Sequence, residues 1–243
     1  MSGVSEFKDK AVAVVGASEG VGPTIVRAFL EQGARVAVGE FGESPKQHPP
    51  EALIIPVDLA QTQSVTSFLD RCEKELGGLD VLVMSARPVK VAKVLDIAPD
   101  EIARVVQREL IDVILCLQET ARRMVARKGG RIISLCSMSG KTGVHGGVSP
   151  YAASKGGLIT FSRSMAADLA PTGVTVNCIA TALFDVQVAS MSEEHQKEVA
   201  KGVPVGRFGR SEEAAHAVLY LASKDAGYVT GETLNLSGGR FMD

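Results

Sequence analysis

Short runs of β-branched residues alternate with longer segments of helical period along this chain, and few folds accommodate that alternation. AVAVV (11–15), RVAV (35–38), ALIIPV (52–57), DVLVM (80–84), RIISLC (131–136), VTVNCI (174–179) and TLNL (233–236) read as strands. Between the third and fourth of them, Val65, Phe68, Leu69, Cys72 and Leu76 recur at three- and four-residue spacing, one buried stripe of a helix. The stretch from Pro99 to Arg127 reads as helical throughout, as two joined helices. The pattern predicts an α/β domain built from β-α-β units around a parallel sheet. The Pro- and Gly-rich stretch from Gly42 to Pro50 is expected to be the weakest-structured connection, and 183–203, without a clear strand, is expected to form a substrate lid.

With 243 residues, 45% of them hydrophobic, the chain can bury one substantial core, so residues 1–243 are expected to form a single domain. The formal charge is -2 and neither sign gathers into a run, which leaves no electrostatic footprint for nucleic acid or an anionic membrane surface. A small-molecule partner is the expectation. No apolar run approaches the ~20 residues needed to span a bilayer, and the N-terminus lacks an apolar signal region, so the cytoplasm is the expected compartment. Cys72, Cys116, Cys136 and Cys178 each stand alone in apolar segments, read as core thiols rather than as metal ligands.

The first strand runs into GASEGVG, with Gly16, Gly20 and Gly22 leading into the helix TIVRAFLEQG. A strand, a glycine turn and a helix N-terminus together aim backbone N–H groups and a positive helix dipole at one point, where a pyrophosphate can sit. Asp58, at the end of the third strand, either hydrogen-bonds an adenine amino group or caps the helix after it.

YAASK (151–155) and YLASK (220–224) both set a phenol and an ammonium four residues apart, on one helical face. An ammonium beside a phenol favours the phenolate and predicts a pKa below the usual ~10. Neighbours separate the two pairs. Ser137 ends the strand before Tyr151, at the carboxyl edge where open α/β sheets hold ligands, whereas no strand-end hydroxyl precedes Tyr220. Tyr151 is therefore the candidate acid/base, and Tyr220, among Val218, Leu219 and Leu221, is expected to be an aromatic core position.

Taken in this order, the glycine turn, Ser137, Tyr151 and Lys155 make the chain resemble the short-chain dehydrogenase/reductase family, classical type, closest to its β-ketoacyl-carrier-protein-reductase-like branch. The resemblance runs through the tail, PVGRFGRSEEAAHAVLYLASKDAGYVTGETLNLSGG. It implies a Rossmann-type doubly wound sheet, a nicotinamide cofactor, hydride transfer between a secondary alcohol and a ketone, and a homotetramer. It further implies that Gly16, Ser18, Glu19, Gly20, Val21 and Gly22 bind the cofactor, with Asp58, Leu59 and Ala86 along its adenosine side. Ser137 orients the substrate oxygen, Tyr151 transfers the proton, and Lys155 holds the nicotinamide ribose and assists Tyr151.

Four departures from the family pattern gather around one groove. Val15 replaces a threonine before the first glycine. MSAR (84–87) replaces Asn-Asn-Ala-Gly, so Arg87 must turn outward or enter the cofactor groove. Glu109 stands where many members carry a catalytic asparagine; it can relay protons, pair with Lys155 or disturb the helix. Ala180, Thr181 and Ala182 replace Ala-Pro-Gly beside the nicotinamide.

Glu40, closing RVAVGE, is expected to accept hydrogen bonds from both adenosine ribose hydroxyls and to repel a 2′-phosphate. Glu19 stands where NADP-preferring members often place a cation, so NAD is the expected cofactor. Arg35 begins its strand at the wrong end to supply that cation, and Lys46 is the other candidate. His145 and His195 are candidates to line the pocket, with solvation as their plainer role. The expected function is an NAD(H)-dependent oxidoreductase acting on a small alcohol or ketone, with an acyl thioester among the candidate substrates. The alternative is a non-catalytic subunit beside an active homologous chain, which would explain the altered groove; a lyase or dehalogenase is disfavoured by the intact Lys155.

Overall fold

A computed structural model of the chain describes residues 5–42, 48–87, 89–143 and 146–243. Lys46 and His145 lie outside them. Among the described residues seven strands form one parallel sheet in the order β3-β2-β1-β4-β5-β6-β7. They are β1 (Ala11–Val15), β2 (Arg35–Glu40), β3 (Leu53–Pro56), β4 (Val81–Met84), β5 (Gly130–Ser137), β6 (Val174–Thr181) and β7 (Thr233–Leu236). β1 pairs with β2 on one side and β4 on the other, so the strand order reverses between β1 and β4, and the crevice beyond their carboxyl ends is where such sheets bind ligands.

Both faces of the sheet are covered, which is why the strands read as nearly unbroken apolar runs. On one face α1 (Gly22–Glu31) and α9 (Ser211–Ala222) bury Ile25, Val26, Phe29, Val218 and Leu221 against Val12, Val14 and Val36. On the other, α2 (Thr62–Leu76), α4 (Asp112–Ala126) and α6 (Ser149–Leu169) bury Phe68, Leu69, Leu117, Met124 and Leu158 against Ala13, Leu82 and Ile132. All four cysteines are buried free thiols, as expected of core positions.

Two strands run past their expected ends. β2 continues to Glu40, held there because Val57 N–H donates to the Glu40 carbonyl at 2.8 Å. β6 continues to Thr181 because Thr181, standing where the family has a proline, keeps its ladder against β5 and β7 as Ala180 does. Helix α3 (Pro99–Val106) is joined to α4 by a π-helical turn, Gln107–Ile111, so the expected joint between two helices is one wide turn with Glu109 inside it. The 183–203 segment contains α7 (Asp185–Val188) and α8 (Glu193–Ala200); the short helix α5 (Ser139–Thr142) follows β5. No helix among the described residues is long and apolar enough to cross a membrane.

Candidate active site

The glycine turn follows β1 into α1. Gly16 and Gly20 have φ of +74° and +59°, a conformation that side-chain-bearing residues rarely adopt. A Cβ on Gly22 would lie 2.6 Å from the Ala17 backbone, so the third glycine lets helix α1 pack close onto the turn. Val15, the replacement before the first glycine, is fully buried, and the turn is tied to the sheet through backbone bonds instead: Gly16 N–H donates to the Gly39 carbonyl and Ser85 N–H to the Val15 carbonyl, both at 2.9 Å. Val21 and Leu59 are buried, whereas Glu19 and Gly20 are exposed at the mouth of the turn.

Beyond the carboxyl ends of β4, β5 and β6 lies a cleft of about 630 Å³, bordered by Gly20, Ala86, Ser137, Tyr151, Thr181 and Val186 among others. Ser137 ends β5, and its Oγ accepts the Ser139 N–H at 3.1 Å, which leaves its own hydrogen available to donate. Tyr151 lies in the first turn of α6, buried at 8% exposure with Ser137 beside the phenol. Lys155, one turn on, is buried at 2%, and its Nζ lies 5.4 Å from the centre of the Tyr151 ring. The same Nζ meets Glu109 Oε2 at 3.1 Å, while Glu109 Oε1 accepts from Arg108 Nε at 2.9 Å. Of the alternatives open to Glu109, the structure shows the ion pair with Lys155 together with the distorted helix.

The expectation of a lowered Tyr151 pKa fails. Burial pushes the phenol above its ordinary value; the Lys155 ammonium pulls the other way, but Glu109 offsets that charge and pushes the phenol up again. Lys155, which burial alone would lower, is held above its ordinary value by Tyr151 and Glu109. Tyr151 is thus a protonated phenol beside a charged ammonium, a proton donor before it is a base.

At the adenosine side one expectation is overturned and one open alternative is decided. Glu40 is buried, and its carboxylate is engaged by the protein: Oε2 meets His48 Nε2 at 2.6 Å and Oε1 accepts the Phe41 N–H at 3.1 Å. Burial would raise its pKa, but the Ser18 hydroxyl, the His48 ring and the Phe41 N–H hold it below the usual value, so the negative charge persists. Ser18 Oγ nevertheless falls short of a full hydrogen bond and is a buried polar atom without a partner, as is Ser85 Oγ. Both ribose hydroxyls therefore do not have a free carboxylate waiting for them. Second, Arg87 turns into the groove, where its guanidinium stacks 3.8 Å from the centre of the Phe41 ring. The signal for Phe41 was its place one residue past the end of β2; His48, reached across the loop, carried none.

Asp58 accepts the Ala60 N–H at 3.0 Å in a tight turn, and the residue preceding α2 is Gln61, so Asp58 is not that helix's N-cap. Tyr220 is 50% exposed on α9 and not a core residue; the buried face there consists of Ala214, Ala215, Val218 and Leu221. Of the pocket histidines, His195 is exposed on α8 and does not border the cleft. Arg35 sits at the far end of β2 as expected, bonded to the Asp9 carbonyl at 2.7 Å. Leu183, Val186 and Val199 bring the 183–203 segment to the cleft edge.

The fold and this cluster of Ser137, Tyr151 and Lys155 at the carboxyl edge of the sheet define the class: an oxidoreductase scaffold of the dinucleotide-binding type. Comparison with known proteins agrees. Residues 16–240 match the family described as enoyl-(acyl carrier protein) reductase. The chain is 32% identical to the 3-oxoacyl-[acyl-carrier-protein] reductase FabG of Escherichia coli (strain K12), over 97% of this chain and 99% of that protein. It is 33% identical to nodulation protein G of Rhizobium meliloti (strain 1021), over 98% and 99% of the two chains. The crystal structure of a short-chain type dehydrogenase/reductase from Mycobacterium marinum superposes with a TM-score of 0.88 at 31% identity, covering 99% of this chain and 98% of that one. The chain belongs to the short-chain dehydrogenase/reductase family of nicotinamide-dependent oxidoreductases.

The groove fits such a cofactor over part of its length. The glycine turn with Ser18 Oγ unpartnered, and the open cleft at Ser137 and Tyr151, suit the pyrophosphate and nicotinamide portions. On the side of the turn where β2 ends, the Phe41 ring lies against Gly16 and the Arg87 guanidinium covers that ring.

Proposed function

We propose that this chain is an NAD(H)-dependent oxidoreductase that interconverts a ketone and a secondary alcohol, with Tyr151 as the acid/base. The single observation that carries the reading is the intact set of Ser137, Tyr151 and Lys155, in which Ser137 and Tyr151 border a cleft large enough for a small substrate and Lys155 is buried behind the phenol. The cofactor, when bound, supplies or accepts the hydride at the carbinol carbon. Ser137 O–H donates a hydrogen bond to the substrate oxygen and fixes it beside the phenol. In the reductive direction Tyr151 Oη gives its proton to that oxygen, and the Lys155 ammonium stabilises the phenolate that forms. Glu109, fixed by Arg108, holds Lys155 in place, and the Lys155–Glu109 pair is the route by which the Tyr151 proton is replaced. Tyr151 is protonated at neutral pH, as this direction requires, although burial makes it a weaker acid than a free phenol. The glycine turn with Ser18, Glu19 and Val21 holds the pyrophosphate, Asp58, Leu59 and Ala86 flank the adenosine, and 183–203 acts as the substrate lid.

The preference for NAD over NADP rests on charge. Glu40 remains ionised at the end of β2, where a 2′-phosphate would have to approach. The resemblance to acyl-carrier-protein reductases makes a β-ketoacyl thioester the substrate class to try first. The protein works in the cytoplasm, where four free thiols are stable, as a homotetramer.

Replacing Tyr151 by Phe tests the reading. Against a panel of β-ketoacyl thioesters and cyclic ketones, Tyr151→Phe is expected to lose at least ~100-fold in turnover with little change in cofactor affinity, while Tyr220→Phe stays at the wild-type rate. Full activity in Tyr151→Phe would overturn the assignment. A second reading, a non-catalytic subunit beside an active homologue, is favoured by one observation: the filled adenosine end of the groove. It requires that no dinucleotide bind.

A further inference from the structure

The feature that family membership leaves unexplained is the stack formed by Phe41 and Arg87. Phe41 is the first residue beyond β2; its ring edge lies against the glycine turn, so that a Cβ on Gly16 would be 2.6 Å from Phe41 Cε2. The ring also packs on the core around α2, which gives it a fixed underside. Arg87 lies just beyond β4, the neighbour of β1 across the point where the strand order reverses. Its guanidinium covers the Phe41 ring at 3.8 Å, and the residue also borders the cleft that holds Tyr151. The two side chains come from opposite walls of the crevice and meet over the first glycine. Burial disfavours the guanidinium charge and lowers its pKa; Glu109, Asp112 and Asp58 attract it from a distance, and Arg108 repels it. Glu40 and His48 fix the backbone at Phe41 from the other side through the 3.1 Å bond to its N–H.

We infer that Arg87, stacked on Phe41, is a built-in occupant of the adenosine end of the groove, which a dinucleotide must displace in order to bind. Arg87 is then the residue that sets dinucleotide affinity in this chain, and it sets it low. A guanidinium on an aromatic face gives up its cation–π contact when it swings out, and that cost is charged against each binding event. A glycine at position 87 has no side chain to displace. The inference rests on the groove being a dinucleotide site, as proposed above.

Titration calorimetry of NADH into the wild type, Arg87→Gly and Phe41→Ala tests it, with circular dichroism melts to confirm that each variant is folded. Arg87→Gly is expected to bind NADH about 10-fold more tightly than the wild type, the scale of one desolvated cation–π contact. Phe41→Ala, which removes the platform, is expected to shift in the same direction and carries the comparison if Arg87→Gly does not fold. Tight binding by the variant with none by the wild type would support the lock while removing the proposed NAD-dependent function. Equal or weaker binding by folded Arg87→Gly, beside measurable wild-type binding, would overturn the lock and leave the function standing. Absence of binding in all three would overturn both.

Discussion

Glu109 bridges the buried Lys155 and the partly exposed Arg108, and the removal of its charge exposes what that arrangement is worth. With Lys155 and Glu109 both almost fully buried, Glu109→Gln leaves an ammonium in the interior facing an amide. Breaking a buried pair from one side costs about 3–5 kcal/mol. Urea melts of Glu109→Gln at neutral pH are expected to show a loss of that size, and Glu109→Gln with Lys155→Met to recover part of it, because the second change removes the stranded charge. A loss below about 1 kcal/mol would show that the pair is solvated and not structural. Residues of this kind differ in how far the sequence discloses them. Ser137, Tyr151 and Lys155 were legible because each is fixed by periodicity or by a strand end. The charge of Glu40 was legible, yet its partner His48 was not, since it arrives across a loop without pattern. Arg87 had two directions open to it, and only the presence of Phe41 across the crevice decides between them.

Helices and strands were legible wherever burial imposes a period, and least so at their ends. The strands β2 and β6 outrun their expected limits because ladder bonding, not residue type, decides where they stop. The π turn at Gln107–Ile111 leaves no trace in apolar spacing, although it carries Glu109. The helices also bear on assembly. Leu158 and Met165 of α6 are spent on the core, with Phe161 and Leu169 partly so. Among the exposed apolar residues, Ile102, Ile111 and Leu115 belong to the α3–α4 unit and are each about 40% exposed. A tetramer paired through that face is expected to fall to a smaller species in Ile111→Lys/Leu115→Lys, read by light scattering at micromolar concentration. A monomeric wild-type mass would contradict it.

At the scale of the whole molecule, the sheet order places the glycine turn and the MSAR segment on the two walls of one crevice, with Ser137 and Tyr151 at its open end. One part of that crevice is an open cleft and another is crossed by the stacked Phe41 and Arg87 side chains. The family and its fold were readable from residue order alone, because a parallel sheet with a switch point fixes where a ligand can sit. Whether the altered half admits a cofactor was not, because it depends on rotamers of two long side chains. The measurement that bears most directly on the account is calorimetric titration of NADH and NADPH into folded wild-type protein and Glu40→Ala. The account predicts that the wild type binds NADH at least ~10-fold more tightly than NADPH, equal to ~1.4 kcal/mol, and that Glu40→Ala narrows the ratio. Equal or tighter binding of NADPH by the wild type would contradict the cofactor assignment, and no binding of either would contradict the enzyme itself.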